Sequence, residues 1–244
     1  MNIRQFQSGE LKLWGFNWDE IPQEKREKIA FVAQEIKGFE WMRVIDYITY
    51  LGGFFPDYDK SYAKNLINKW GLTSSKKIND LSKGQKQILH VIQAFSIKPE
   101  LLILDEPVAH LDPSMRRKFI AELIDIACEN NMTVIFSSHI ISDIERIANS
   151  VAILKGKKIA LQYDVEHLKS SIAHVKIASN KSLKQSEYFS EFSHWQAYEQ
   201  GATAKIIQPL SQDLESLVKE SPYKIECTPM SMEDWYLEVN NEAD

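Results

Sequence analysis

The sequence predicts an α/β protein: a parallel sheet with a helical insert, followed by a small α+β appendix. Three observations carry this. Apolar runs too short for helices, at residues 29–33, 101–104 and 132–136, are separated by stretches of helical period, the pattern of parallel strands covered by helices. Between the first two runs the helical period dominates, which marks an insert at about 36–98. Beyond residue 164 the elements shorten into alternating strands and helices. The expected division is therefore a domain at 1–163 and an accessory α+β domain at 164–244.

Taken in order, residues 10–15 alternate Leu11 and Leu13 against Lys12 and end at Gly15, a short half-buried strand. The run 29–33 is a second strand, closed by Gln34. Val44, Ile45, Ile48 and Leu51 make one helical face; Gly52-Gly53 breaks it, and Tyr62, Leu66, Ile67 and Trp70 make another that ends at Gly71. Ser82 is a good N-cap for a helix carrying Ile88, Val91, Ile92 and Phe95, stopped by Pro99. Residues 101–104 read as a buried strand. Asp112-Pro113 supplies an N-cap and N1 proline for the helix of Phe119, Leu123 and Ile126. Residues 132–136 form another buried strand, then Ile140, Ile144 and Ile147 a helical face. Strands at 151–154 and 159–161 are joined by a Lys-Gly-Lys turn. The appendix reads as strands at 172–178, 195–198, 204–207 and 224–227, with helices at 187–192, 214–218 and 232–239.

With 244 residues, 44% of them hydrophobic and 26% charged, the chain has the material for one large core or two modest ones. Its 29 basic and 34 acidic residues leave a net charge of -5 with no dense Lys/Arg stripe, which argues against nucleic acid as a partner. Two cysteines with no CxxC spacing give neither a zinc site nor a redox motif and fit a reducing compartment. No run of eighteen apolar residues occurs, so the chain does not cross a membrane by itself. Of its nine glycines none are five apart and none two apart, so neither GxxxxGK[ST] nor GxGxxG can be written in these residues.

The strand at 101–104 runs into Asp105-Glu106. A buried strand delivering two carboxylates at its C-terminal edge suits an enzyme that holds Mg²⁺ with one and poises a water with the other; a core strand ending in a solvated acidic turn has the same sequence. Leu81-Ser82-Lys83-Gly84-Gln85 opens the preceding helix, where backbone N–H groups, a hydroxyl and a glycine make an anion site. Read alone, Ser82 is equally an ordinary N-cap. Ala109-His110-Leu111-Asp112 follows the acidic pair, and His139 stands just past the next strand.

In this order, Gln34, the 81–85 segment, the strand ending in Asp105-Glu106, the 109–112 segment and His139 resemble the ATP-binding subunits of ABC transporters. They match the Q-loop, signature loop, Walker B strand with its glutamate, D-loop and switch histidine. The resemblance covers residues 10 to about 161. It implies a P-loop NTPase-like sheet, ATP and Mg²⁺ as ligands, and a role coupling ATP hydrolysis to transport through a separate membrane permease. Asp105 and Gln34 would hold Mg²⁺, Glu106 would be the general base, and His139 would contact the γ-phosphate. Leu81, Ser82, Lys83, Gly84 and Gln85 would serve a nucleotide on a second ATPase subunit, identical or different. Lys83 stands where the family more often has glycine. A peripheral location on the cytoplasmic face of the membrane follows.

The resemblance also implies a Walker A loop and an adenine-stacking aromatic before the Q-loop, and neither is present in the 244 residues. Residues 8–15 look like the segment that normally follows the Walker A helix. The chain is accordingly expected to be N-terminally truncated, through a start assigned to an internal Met or a frameshift, in preference to a true degenerate subunit. On that expectation it is inactive alone. The alternative is a catalytically dead interaction subunit that lends its signature loop to a competent partner. Residues 54–58 and 230–237 look like exporter-type subunits. Trp41, Tyr47 and Trp70 would be permease contacts, though at helical spacing such aromatics also fit a core.

Overall fold

The structure is a computed structural model, and it describes residues 8–34, 38–180, 182–186, 189–210 and 214–241. The chain divides into two compact units, Met1–His139 and Ile140–Asp244. The mixed α/β architecture with a parallel sheet is as expected. The expected boundary after residue 163 falls inside the second unit.

The first unit opens with β1 (Lys12–Leu13) and β2 (Phe16–Asn17), an antiparallel pair in place of the single expected strand. Trp14 and Gly15, the two residues between them, both have positive φ, 52° and 82°, the backbone that a tight hairpin turn requires. A single helical turn, α1 (Gln23–Arg26), leads into β3 (Ile29–Val32). The insert then supplies α2 (Val44–Gly52), α3 (Lys60–Lys69) and the first turns of α4 (Lys83–Ser96). Asp59 caps α3 by accepting from the Tyr62 N–H at 2.8 Å. The helix ends as Gly71 takes a left-handed φ of 71°, letting the Leu72 N–H reach the Ile67 carbonyl at 2.9 Å. Then follow β4 (Leu101–Asp105), α5 (Pro113–Glu129) and β5 (Thr133–Ser137).

β3, β4 and β5 form a parallel sheet in that order. The middle strand is buried at Leu101, Leu102 and Leu104; α4 packs along β3 and buries Ile88, Leu89, Ile92 and Phe95, and α5 buries Phe119 and Leu123. Phe95 stacks on Phe119 and meets the edge of Trp70, which joins the insert to the sheet's helices. The expectation that 132–136 is a buried strand is not met. β5 pairs with β4 alone among the described residues, and Ile135 is 55% exposed. Ile135 stands in one cross-strand row with Ile103 and Phe31, and Phe31 is 40% exposed as well, so the face of the sheet that carries this row is open.

Nearly every residue of α4 from Gln87 on is buried, including four polar ones. The polar groups therefore need partners. His90 Nδ1 lies 2.8 Å from the Tyr47 hydroxyl, Gln93 Oε1 accepts from the Tyr58 hydroxyl at 2.8 Å, and the Ser96 hydroxyl donates to the Ile92 carbonyl. Burial raises the Tyr47 pKa, so its phenol stays protonated and shares the bond with a neutral His90. Burial, helped by the nearby Lys86 charge, pushes the His90 imidazole down to about 4.

In the second unit, α6 (Ile141–Ile147) is followed by an antiparallel hairpin of β6 (Ser150–Lys155) and β7 (Lys158–Asp164), turning through Gly156 and Lys157, both at positive φ. Next come α7 (Val165–Ser171), β8 (Ala173–Ala178), β9 (Ser193–Tyr198), β10 (Gly201–Ile206), α8 (Leu214–Glu220), β11 (Lys224–Pro229) and α9 (Met232–Asn241). The expected helix at 187–192 lies partly outside the described residues. Val151 and Ile153 of the hairpin share a core with Val165, Leu168, Met232 and the fully buried Trp235, whose Nε1 donates to the Ile207 carbonyl at 2.8 Å. That shared core is why the hairpin belongs with the appendix. β8 to β11 form a four-stranded antiparallel sheet in the order β11-β8-β10-β9, a split βαβ arrangement. One of its faces carries the second core, Val175, Ile177, Ala202, Ile206, Phe189 and Ile225 among others. No helix among the described residues is long and apolar enough to cross a membrane.

The buried His90 makes the first unit acid-sensitive. From pH 6.5 down to about 4 the unfolded chain binds a proton that folded His90 refuses, so stability is lost as pH falls through this window and levels off below it. The loss is on the order of 3 kcal/mol. Urea midpoints followed against pH should show it in the wild type and not in His90→Gln, which keeps an acceptor for Tyr47; equal slopes would contradict this.

Candidate functional site

Parallel strands all end at the same side of their sheet, and open α/β sheets place ligands there. Val32 pairs with Leu104, and Leu104 with Phe136, so the residues just beyond them leave from one edge. Gln34 follows β3, Asp105 and Glu106 end β4, and Ser137 and His139 end β5.

The last pair of the β4–β5 ladder is Asp105 and Ser137. The Ser137 hydroxyl donates to Asp105 Oδ1 at 2.8 Å and accepts the Glu106 N–H at 2.9 Å, so one oxygen ties both acidic residues to the neighbouring strand. Glu106 has a φ of 48°, a left-handed backbone that is uncommon for a long side chain. This turn points its N–H at Ser137 and leaves its carboxylate against the imidazole of His139, with Oε2 2.8 Å from Nδ1. Glu106 is largely covered, whereas His139 is 69% exposed and keeps Nε2 for another partner. Gln34 is exposed at the same edge.

The 81–85 segment is the first turn of α4 with its cap. Ser82 Oγ accepts the Gln85 N–H at 3.2 Å while Gln85 Oε1 accepts the Ser82 N–H at 3.1 Å, a reciprocal capping box. The Ser82 proton is left to donate outward. Ser82 and Lys83 are exposed; Leu81 is buried and anchors the turn. A Cβ on Gly84 would lie 2.6 Å from the His110 carbonyl oxygen, so the 81–85 and 109–112 segments meet backbone to backbone. Only glycine allows this approach. Leu111 is buried beside it, Ala109 is half-buried, and Asp112 caps α5 by accepting from the N–H groups of Ser114 and Met115 at 2.9 and 3.0 Å.

The structure thus gathers the expected residues into two clusters: Asp105, Glu106 and His139 at the sheet edge, and 82–84 against 110–111 at the start of α4. Sequence reasoning missed Ser137. Its signal was its place as the final residue of a strand opposite Asp105, in the Ser-Ser-His run. Of the aromatics, Tyr47 and Trp70 are core, while Trp41 is 71% exposed. Beside α2, Phe39, Tyr50 and Phe54 form an exposed line of ring contacts.

The donor set at the sheet edge is oxygen throughout: the Asp105 carboxylate, the Ser137 hydroxyl, the Gln34 amide. No group of three His, Cys, Asp or Glu that could cage a metal exists among the described residues. The oxygen donors are of the kind that fit Mg²⁺, which takes one or two carboxylates and completes its shell with water and substrate phosphates.

The family described as "AAA domain, putative AbiEii toxin, Type IV TA system" matches residues 23–142. The ABC transporter ATP-binding protein YtrB of Bacillus subtilis is 29% identical over 51% of this chain and 42% of its own length. The ABC transporter ATP-binding protein YhaQ of the same organism is 27% identical over 86% of this chain and 74% of its own. The chain therefore spans under half of the first of these relatives. A dimeric ATP-binding cassette in a post-hydrolysis state, bound to ADP and Pi, superposes with a TM-score of 0.58 at 19% identity, covering 65% of this chain and 74% of that one. The homologues of this chain are the ATP-binding proteins of ABC transporters, and its parallel sheet is that of the ABC ATPase fold.

Proposed function

We propose that this chain is the ATP-binding and ATP-hydrolysing subunit of an exporter-type ABC transporter, working with a separate membrane permease and a second ATPase subunit at the cytoplasmic face of the membrane. The observation that carries this reading is the Asp105–Ser137–Glu106–His139 constellation at the C-terminal edge of the sheet. Asp105 and Gln34 would hold Mg²⁺, which when bound spreads the charge of the phosphates. Glu106 accepts the proton of the attacking water, held in place by its backbone bond to Ser137 and by His139. His139 presents Nε2 toward the γ-phosphate. Ser82 and the N–H groups at the start of α4 face the γ-phosphate of a nucleotide on the opposite subunit, as a helix N-terminus favours. The exposed line of Phe39, Tyr50 and Phe54, together with exposed Trp41, is the surface offered to the permease.

A second reading is supported by one observation. No phosphate-loop glycine spacing occurs in these 244 residues, while the signature turn is fully built, capping box included. On that reading the chain lends Ser82 to Gly84 to a competent partner and does no chemistry at its own carboxylates.

Two substitutions separate the readings when introduced into the assembly of this chain with its permease and second ATPase subunit. Glu106→Gln should preserve ATP binding and slow turnover at this chain's site about 10²-fold to 10⁴-fold; unchanged turnover removes Glu106 from catalysis and leaves the second reading. Gly84→Ala forces the α4 start away from His110 and should reduce turnover on either reading, with normal activity refuting a role for the signature turn.

A further inference from the structure

Four polar residues of α4 are buried, and three of them are hydrogen-bonded within the fold: His90 with Tyr47, Gln93 with Tyr58, and Ser96 with the Ile92 carbonyl. Gln87 is the exception. It is 4% exposed, and its Nε2 is sealed from solvent with no hydrogen-bond partner among the described residues. Gln93 also has an unpaired Nε2, but its Oε1 anchors it to Tyr58. A buried donor is seldom left unpaired, because it has given up water and received nothing in exchange. Such a group is explained by an acceptor that it meets in another state of the molecule.

An acceptor stands at the preceding turn. Residues three apart share a helix face and helical side chains lean toward the N-terminus, so the natural course of the Gln87 side chain is back over Gly84. There the His110 carbonyl oxygen comes so near that a Cβ on Gly84 would lie 2.6 Å from it, with a Leu111 methyl 3.6 Å away. That carbonyl accepts no backbone hydrogen bond among the described residues. Further along α4, Phe95 stacks on Phe119, so the same flank of the helix faces the 110–119 stretch at both ends. The 106–111 segment is itself tied together, the Ala109 N–H donating to the Glu106 carbonyl at 3.3 Å and the Leu111 N–H to the Val108 carbonyl at 3.1 Å. A pull on His110 therefore reaches Glu106.

We propose that Gln87 is a positioning residue whose Nε2 donates to the His110 carbonyl when a nucleotide phosphate engages the 81–85 turn, drawing the 106–111 segment and Glu106 toward α4. In the structure this donor and this acceptor are unjoined. A phosphate that binds the start of α4 better in the joined arrangement shifts the chain toward it. Resting on the reading of Glu106 and of the 81–85 turn given above, the bond links the nucleotide of the opposite subunit to the carboxylate of this one.

The test is Gln87→Met, which keeps the length of the side chain and removes the donor. Two measurements should part company. The urea midpoint of the 244-residue chain should hold or rise, since a buried unpaired amide is gone. In the assembly with the permease and second ATPase subunit, kcat for ATP should fall about tenfold with KM nearly unchanged, the scale of one hydrogen bond made only in the working state. A merely structural role would lower both together. Wild-type kcat in Gln87→Met overturns the proposal, and so does a lowered midpoint, which would show the amide already satisfied in the resting fold. Gly84→Ala in the same assembly separates this inference from the reading beneath it. Reduced turnover there, with wild-type turnover in Gln87→Met, removes the inference alone; normal turnover there removes the 81–85 turn from function and the inference with it.

Discussion

The candidate site depends on β4 lying in register between two parallel neighbours. It pairs with β3 over residues 101–104 and with β5 over 101–105, and Leu101, Leu102 and Leu104 are buried. A strand so fixed delivers its last residues to one place, and the register sets what stands beside them: Ser137 next to Asp105. The Ser137 hydroxyl then acts in both of its capacities, as donor to Asp105 and as acceptor from the Glu106 N–H. Without that acceptor the left-handed turn at Glu106 would leave its N–H unpaired, and the carboxylate would lose its fixed approach to His139. Rigid strand, strained turn and exposed imidazole form one chain of cause.

The second organising contact is the approach of the α4 start to the 109–112 loop. Gly84 permits it, the Ser82–Gln85 capping box fixes the turn, and Asp112 pins the far side by starting α5. α4 also reaches into the insert through Tyr47–His90 and Tyr58–Gln93. These buried polar bonds specify one orientation of the insert's helices, since any shift would strand a hydrogen-bonding group out of water. A motion of the insert would therefore carry the 81–85 turn with it as part of α4.

Much of this was legible in the sequence because its signals are local. The four aliphatics before Asp105-Glu106 read as a buried strand, Ser82 and Asp112 read as caps, and the order of the motifs carried the family resemblance. What escaped was set by pairing between distant segments. Ser137 matters only because it lies opposite Asp105, and nothing near residue 137 announces that partner. The hairpin at 150–164 looked like a continuation of the parallel sheet, yet Val151 and Ile153 pack with Trp235, more than eighty residues away. Residues 132–136 have the composition of a buried strand, and only the three-strand order shows that this one is an edge. Trp41, Tyr47 and Trp70 look alike in sequence; burial alone divides them.

The central claim is that one hydroxyl holds both acidic residues in working geometry. It is tested most directly by steady-state ATP turnover of the complete assembly carrying Ser137→Ala or Ser137→Thr in this chain. The account predicts a fall in kcat of about tenfold to hundredfold for alanine, the scale of a lost hydrogen bond to a charged group, with little change in KM and with substantial recovery in threonine. Wild-type kcat in Ser137→Ala, or a threonine variant as poor as alanine, would contradict it.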